Sequence, residues 1–187
     1  MTHFGIICPA STGHLNPMCA LGRELQRRGH RVILFGILDT QPKALAAGLD
    51  FRAIGEEEFP TGWIAQRDTQ QGKLSGFAGM RYSISWVQQI IATFLREGEE
   101  AMREVGVEAL LVDQLSPDGA TVAEFLNLPF VSVCSALLVN REDSVPPIYT
   151  PWRYNTSWFG CLRNRAGYAL LDRLTQPVWK VLNEYRQ

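Results

Sequence analysis

Short apolar runs alternate with helical patterns along this chain, and that alternation restricts the fold more than any other feature. Phe4-Gly5-Ile6-Ile7-Cys8 is one such run, closed by Pro9, and Val32-Ile33-Leu34-Phe35 is another. Runs this short and continuous read as parallel strands buried on both faces. Between them Met18, Leu21 and Leu25 have helical spacing, with Glu24, Arg27 and Arg28 on the opposite face. The pattern predicts a polar loop from Ala10 to Leu15, Asn16 as N-cap, Pro17 as first helical residue and Gly29 as the stop. Residues 4–38 thus make one βαβ unit.

A second unit begins at Glu108. Ala109-Leu110-Leu111-Val112 reads as a strand ending at Asp113, Pro117 to Leu126 as a helix, and Phe130 to Cys134 as a further buried strand. Strands alternating with helices imply an α/β fold, a Rossmann-like doubly wound parallel sheet. Residues 55–107 look less regular. Phe77 to Met102 has room for one or two helices, with Trp86, Val87, Ile90, Ile91 and Phe94 on one side. Residues 145–160 read as an aromatic-rich loop, followed by two helical patterns over about 160–187. The last of these runs through Val178, Val181, Leu182 and Tyr185 to Gln187 without a cap, which suggests a piece of something longer.

With 187 residues the chain is expected to be a single domain over 1–187. A 46% hydrophobic and 20% charged composition excludes disorder as the main state. Eighteen basic against nineteen acidic side chains give a net charge of −1, and no electrostatic footprint for nucleic acid. No run of apolar residues is long enough to span a membrane. No basic segment precedes the first apolar run, so a cytoplasmic location is expected. Cys8, Cys19, Cys134 and Cys161 form no C-x-x-C pair and are expected to be buried, reduced thiols. His3 is expected to be exposed, and His30 to serve surface or packing.

The motifs of several chemistries are missing. The first turn, Pro9-Ala10-Ser11-Thr12-Gly13-His14, has one glycine where a dinucleotide fingerprint has three. That leaves Asp39 better explained as a helix cap than as a ribose ligand. Lys73 is followed by Leu74, so there is no P-loop, and no cluster has metal spacing. What remains is His14, after the first strand, and Asp113, at the carboxyl end of a later one. Ligands of open α/β sheets bind beyond those ends. A histidine held by a carboxylate is a general base with a fixed tautomer. Spacing alone leaves plainer readings in front: a loop histidine and a carboxylate that caps the next turn.

The residues also carry a resemblance. Gly13-His14-Leu15-Asn16-Pro17, followed by Arg28-Gly29-His30-Arg31-Val32, resembles the start of the family 1 glycosyltransferases. These are nucleotide-sugar-dependent enzymes, among them macrolide, sterol, flavonoid and zeaxanthin glycosyltransferases. Leu111-Val112-Asp113 through Val122-Ala123-Glu124 to Leu128-Pro129-Phe130-Val131 is similar to their second signature. The resemblance implies the N-terminal, acceptor-binding lobe of a two-lobed GT-B fold, with the donor-binding lobe missing. It implies His14 as the base that takes the acceptor's proton and Asp113 as its support. It further implies inversion at the sugar carbon, a UDP-sugar held largely by the missing lobe, and no metal or other cofactor. Ser11, Thr12 and Gly13 become a donor-adjacent loop.

Trp63, Phe77, Met80, Trp86, Ser135 and Val139 are the candidates for an apolar acceptor pocket, although core packing explains each as well. The acceptor is then a hydrophobic small molecule bearing a hydroxyl. Trp152, Arg153, Tyr154, Trp158, Arg163 and Arg165 read either as an inter-lobe surface, the favoured reading, or as a peripheral membrane contact. Negligible transfer is expected from this chain alone. A non-catalytic acceptor-binding subunit paired with a separate donor-binding chain is the alternative.

Overall fold

The strands β1 (His3–Ile7), β2 (Arg31–Gly36), β3 (Asp50–Ala53), β4 (Ala109–Asp113) and β5 (Phe130–Val133) come from a computed structural model that describes residues 1–187. They form one sheet in the order β3-β2-β1-β4-β5, and all four pairings are parallel. The order reverses direction at β1, so the crevice between β1 and β4 is the switch point at which such sheets bind ligands.

Alternate side chains of these strands feed two cores, one on each face. Ile6, Val32 and Leu34 pack with Leu15, Met18 and Cys19 of α1 (Thr12–Arg27) and with Ala44 of α2 (Gln41–Ala46). Ile7, Phe35, Leu110 and Val112 pack against α4 (Gly76–Val105), α5 (Pro117–Phe125) and α6 (Trp158–Tyr185). Each buried Ile, Leu, Val, Phe or Met side chain among them contributes about 1.5–3 kcal/mol. The doubly wound reading holds.

Several local expectations change. The helix α1 starts at Thr12 with Ser11 as N-cap, because His14 N and Leu15 N already bond to Ser11 O at 3.1 and 2.9 Å. Asn16 is therefore not the cap, and Pro17 sits inside the helix, where its missing N–H forfeits a single bond. Gly29 does end the helix. At φ +84° it lets Gly29 N reach Gln26 O and His30 N reach Leu25 O, a Schellman stop.

The stretch 55–107 is mostly regular, with α3 (Trp63–Gly72) ahead of the single long α4. The two helical patterns near the end are one helix, α6. Its exposed Pro177 is accommodated within it, and Val178, Val181, Leu182 and Tyr185 face the core as their spacing indicates. The strand β5 is an edge strand with Val131 61% exposed, not a buried one; edge and buried strands share the same apolar composition. His3 is buried: it opens β1, and its backbone N–H donates to Glu108 Oε2 at 2.8 Å. Cys134 is exposed, against the expectation for the thiols, whereas Cys19 is buried. No helix is long and apolar enough to cross a membrane.

Candidate active site

The carboxyl ends of β1 and β4 lie side by side, with Ile7 paired to Val112, and the first residues beyond them meet. His14 is in the first turn of α1, not in a loop ahead of the helix. Its Nδ1 lies 2.8 Å from Asp113 Oδ2, across 99 positions of sequence. The Asp113 side chain is fully buried and that of His14 is 15% exposed. The other carboxylate oxygen, Oδ1, accepts from Leu115 N at 2.9 Å. The carboxylate is thus fixed at both oxygens, capping its own turn and holding the imidazole. With Nδ1–H donating to Asp113, the tautomer is set and Nε2 carries the lone pair.

His14 stands at the wall of a cavity of about 550 Å³. Ile7 and Phe35 close it from the sheet, and Trp86, Ile90, Ile91 and Phe94 close it from α4. The α4 residues are those whose helical spacing places them on one side. The lining is mainly apolar, with Ser11, Thr40, Arg67, Ser83, Ser116 and Asp118 as polar exceptions beside His14. Burial pushes the Asp118 carboxyl up to about 7, although it accepts from its own and Gly119's N–H at the start of α5. Burial likewise raises the Cys8 thiol, so it stands here as a neutral wall residue. A groove of similar size, about 510 Å³, is lined almost wholly by charges around Arg52, Glu58, Arg96 and Glu97, and suits no apolar molecule.

Of the proposed acceptor residues only Trp86 lines this cavity. Trp63 stands behind it, its ring edge-on to that of Trp86 at 6.5 Å, while the Arg67 guanidinium covers Trp86 at 4.7 Å. Phe77 lies nine residues before Trp86, about 180° around the helix, and is 58% exposed. Met80 shares the helical face of Val87, Ile91 and Phe94 but does not line the cavity. Ser135 and Val139 lie on the chain after β5 and do not reach the cavity; Val139 N donates to Gln114 Oε1 at 3.4 Å. Ser11 lines the cavity as the cap of α1, with Thr12 and Gly13 exposed beside it. A Cβ added to Gly13 would meet nothing within 4 Å.

Asp39 is a cap, but for a distant helix. Its two oxygens accept from Gly62 N and Ile64 N at 2.6 and 2.7 Å, at the start of α3. His30 is a packing residue, edge-on to Phe4 at 5.1 Å, with Nδ1 accepting from Thr2 N. Sequence reasoning missed Arg67, Asp118 and Tyr149. Only Asp118 had a signal, an acid five residues beyond Asp113 at a helix start. No group of three or more His, Cys, Asp or Glu side chains is placed to hold a metal.

No protein-family model matches the chain. Over 185 residues it is 31% identical to the zeaxanthin glucosyltransferase of Pantoea ananas, a match covering 99% of this chain and 43% of that protein. CalG4, the calicheamicin glycosyltransferase, shares its fold with a TM-score of 0.62 over 100% of this chain and 43% of that one, at 17% identity. These likenesses are to glycosyltransferases, over the part of their length that the chain spans. The spinosyn rhamnosyltransferase SpnG, solved with spinosyn aglycone, is 28% identical over 71% of this chain and 34% of that one, with a TM-score of 0.51. The chain spans less than half the length of the curated relatives that it matches from end to end.

Proposed function

We propose that the chain is the N-terminal, acceptor-binding part of an inverting glycosyltransferase that moves a sugar from a nucleoside-diphosphate sugar to a hydroxyl of a hydrophobic small molecule. The observation that carries this is the 2.8 Å bond between His14 Nδ1 and Asp113 Oδ2 at the wall of an apolar cavity. The acceptor lies against Trp86 and Ile90 with its hydroxyl at His14 Nε2. As the hydroxyl oxygen attacks the anomeric carbon, Nε2 takes its proton and Asp113 supports the imidazolium. One C–O bond forms to the acceptor while the C–O bond to the diphosphate breaks on the opposite face. The configuration inverts, and the nucleoside diphosphate leaves with the electron pair.

The exposed first turn of α1, Ser11 to Gly13, presents helix N-terminal N–H groups to the leaving diphosphate. This is the donor-adjacent role those three residues are given; the rest of the donor is held outside the chain, and no metal or other cofactor enters the scheme. SpnG supports the kind of partner, having been solved with both thymidine diphosphate and an aglycone. We take the donor to be a UDP-sugar, and an assay across UDP- and TDP-sugars reads that choice directly.

The test uses the protein at its full natural length, with UDP-glucose and a panel of lipophilic alcohols, product being followed by chromatography. His14→Ala is expected to lower kcat by roughly 10²–10⁴-fold while leaving the protein folded. Retention of more than a tenth of the turnover in that variant overturns His14 as the base.

A further inference from the structure

From Ser144 to Leu171 the chain has no aspartate or glutamate, but it has Arg153, Arg163 and Arg165 and six aromatic residues. Much of this stretch is uncovered. Tyr154, Trp158 and Phe159 are each 66% exposed and Leu162 is 55% exposed. The Trp158 and Phe159 rings stack at 3.7 Å at the first turn of α6. That turn is held rigid, because Ser157 Oγ accepts from Gly160 N and Asn155 Oδ1 accepts from Ser157 N. The glycosylation-like triplet Asn155-Thr156-Ser157 is thereby a helix cap.

The flanking acids are engaged. Asp143 pairs with Arg165, and Asp172 with Arg141. Arg153 and Arg163 have no carboxylate partner; the Arg163 guanidinium lies over Trp152 at 5.0 Å and donates to Arg153 O. Exposed Trp and Tyr rings beside unpaired arginines match the chemistry of a membrane–water boundary, where rings sit among headgroups and guanidinium groups meet phosphates. A continuous negative surface satisfies such arginines without a carboxylate placed for each. The same stretch reaches the cavity, whose lining includes Tyr149, itself 73% exposed.

We propose that residues 149–163 dock on an anionic bilayer, with Tyr154, Trp158, Phe159 and Leu162 in the headgroup boundary and Arg153 and Arg163 on lipid phosphates. The acceptor then enters the cavity past Tyr149 directly from the lipid. This rests on the acceptor-site reading above.

The experiment is flotation of the full-length protein with vesicles of phosphatidylcholine, with and without phosphatidylglycerol, for the parent and for Trp158→Ser/Phe159→Ser and Arg153→Gln/Arg163→Gln. Turnover is read on acceptor in detergent and on acceptor embedded in the vesicles. The parent is expected to float with the anionic vesicles only. Each lost arginine should lower partitioning roughly fivefold. Both double variants should keep turnover on acceptor in detergent and lose it on embedded acceptor in step with flotation. A parent that stays at the bottom, or variants that float equally well, overturn the proposal. It is also overturned if Trp158→Ser/Phe159→Ser loses Tm and turnover on acceptor in detergent, which would make the patch a contact with the rest of the protein. Flotation without turnover on either acceptor would instead sink the enzymatic reading and leave the docking surface standing.

Discussion

Asp113 binds with each of its oxygens to a different element, Leu115 N on its own turn and the imidazole of α1. The residue thus caps its own turn and holds the imidazole at once, since one carboxylate has lone pairs for both. Strand and turn patterns placed each residue at a strand end, but spacing left plainer readings in front, and the pairing itself came from the resemblance. Asp118 was not legible, because only its burial against the cavity distinguishes it from any first-turn acid. Its carboxyl stands at about 7 in the folded protein, above its ordinary value of 3.8. The folded state therefore holds a proton that the unfolded chain gives up between about pH 4 and 7, and the stability tied to that proton is lost as pH rises through the window. Asp118→Asn should flatten the decline in Tm over pH 4–8, relative to the parent; parallel melting curves would show that Asp118 does not carry it. Gly13 supplies a second residue-scale prediction. Gly13→Ala adds a methyl group that touches nothing in the chain, so Tm should hold or rise slightly. Turnover should fall at least tenfold if the space belongs to a substrate, and equal kcat/KM in both proteins would place the substrates elsewhere.

At the scale of elements, sequence reasoning worked where a period has one explanation. The face of α4 bearing Trp86, Ile90 and Phe94 was visible as helical spacing and is the face that walls the cavity. Extents were harder to read. Pro17 and Pro177 look like a start and a break, yet each lies inside a helix that packing holds together on both sides. Phe77 was assigned by apolar character without its angle around α4, and angle decides which side chains meet a ligand. The central strand has a tighter constraint than its composition shows. A Cβ on Gly5 would lie 2.6 Å from Leu110 Cδ2 and 2.9 Å from Phe35 Cε2. Gly5→Ala should therefore destabilise the fold by about 1–3 kcal/mol, read as a shift in the denaturant midpoint. A midpoint unchanged within error would mean that Leu110 and Phe35 repack freely.

For the whole molecule, the architecture was legible because the alternation of strands and helices admits few topologies. The aromatic stretch after β5 was legible only as composition, since no period dictates where irregular chain runs. The apolar cavity and the His14–Asp113 pair lie within the chain, while the proposal puts most donor contacts outside it. Purified residues 1–187 should accordingly bind a lipophilic alcohol, seen as a change in tryptophan fluorescence that Trp86→Phe removes, yet release no UDP from UDP-glucose above background. Steady turnover by the purified chain would place a complete donor site inside it.

The position of β1 at the middle of the sheet also sets an order of events during synthesis. Its partner on one side, β2, follows it within about thirty residues, but its partner on the other, β4, begins at Ala109. At roughly 5–20 residues per second, the ribosome leaves that edge of β1 without a neighbour for several seconds. During that interval Phe4 to Ile7 offers a free row of N–H and C=O groups beside an apolar surface, which any other nascent strand can pair with. His14 is thus made early and waits on the strand that will complete its pair, so yield of folded protein should depend on translation speed and chaperone supply more than final stability would suggest.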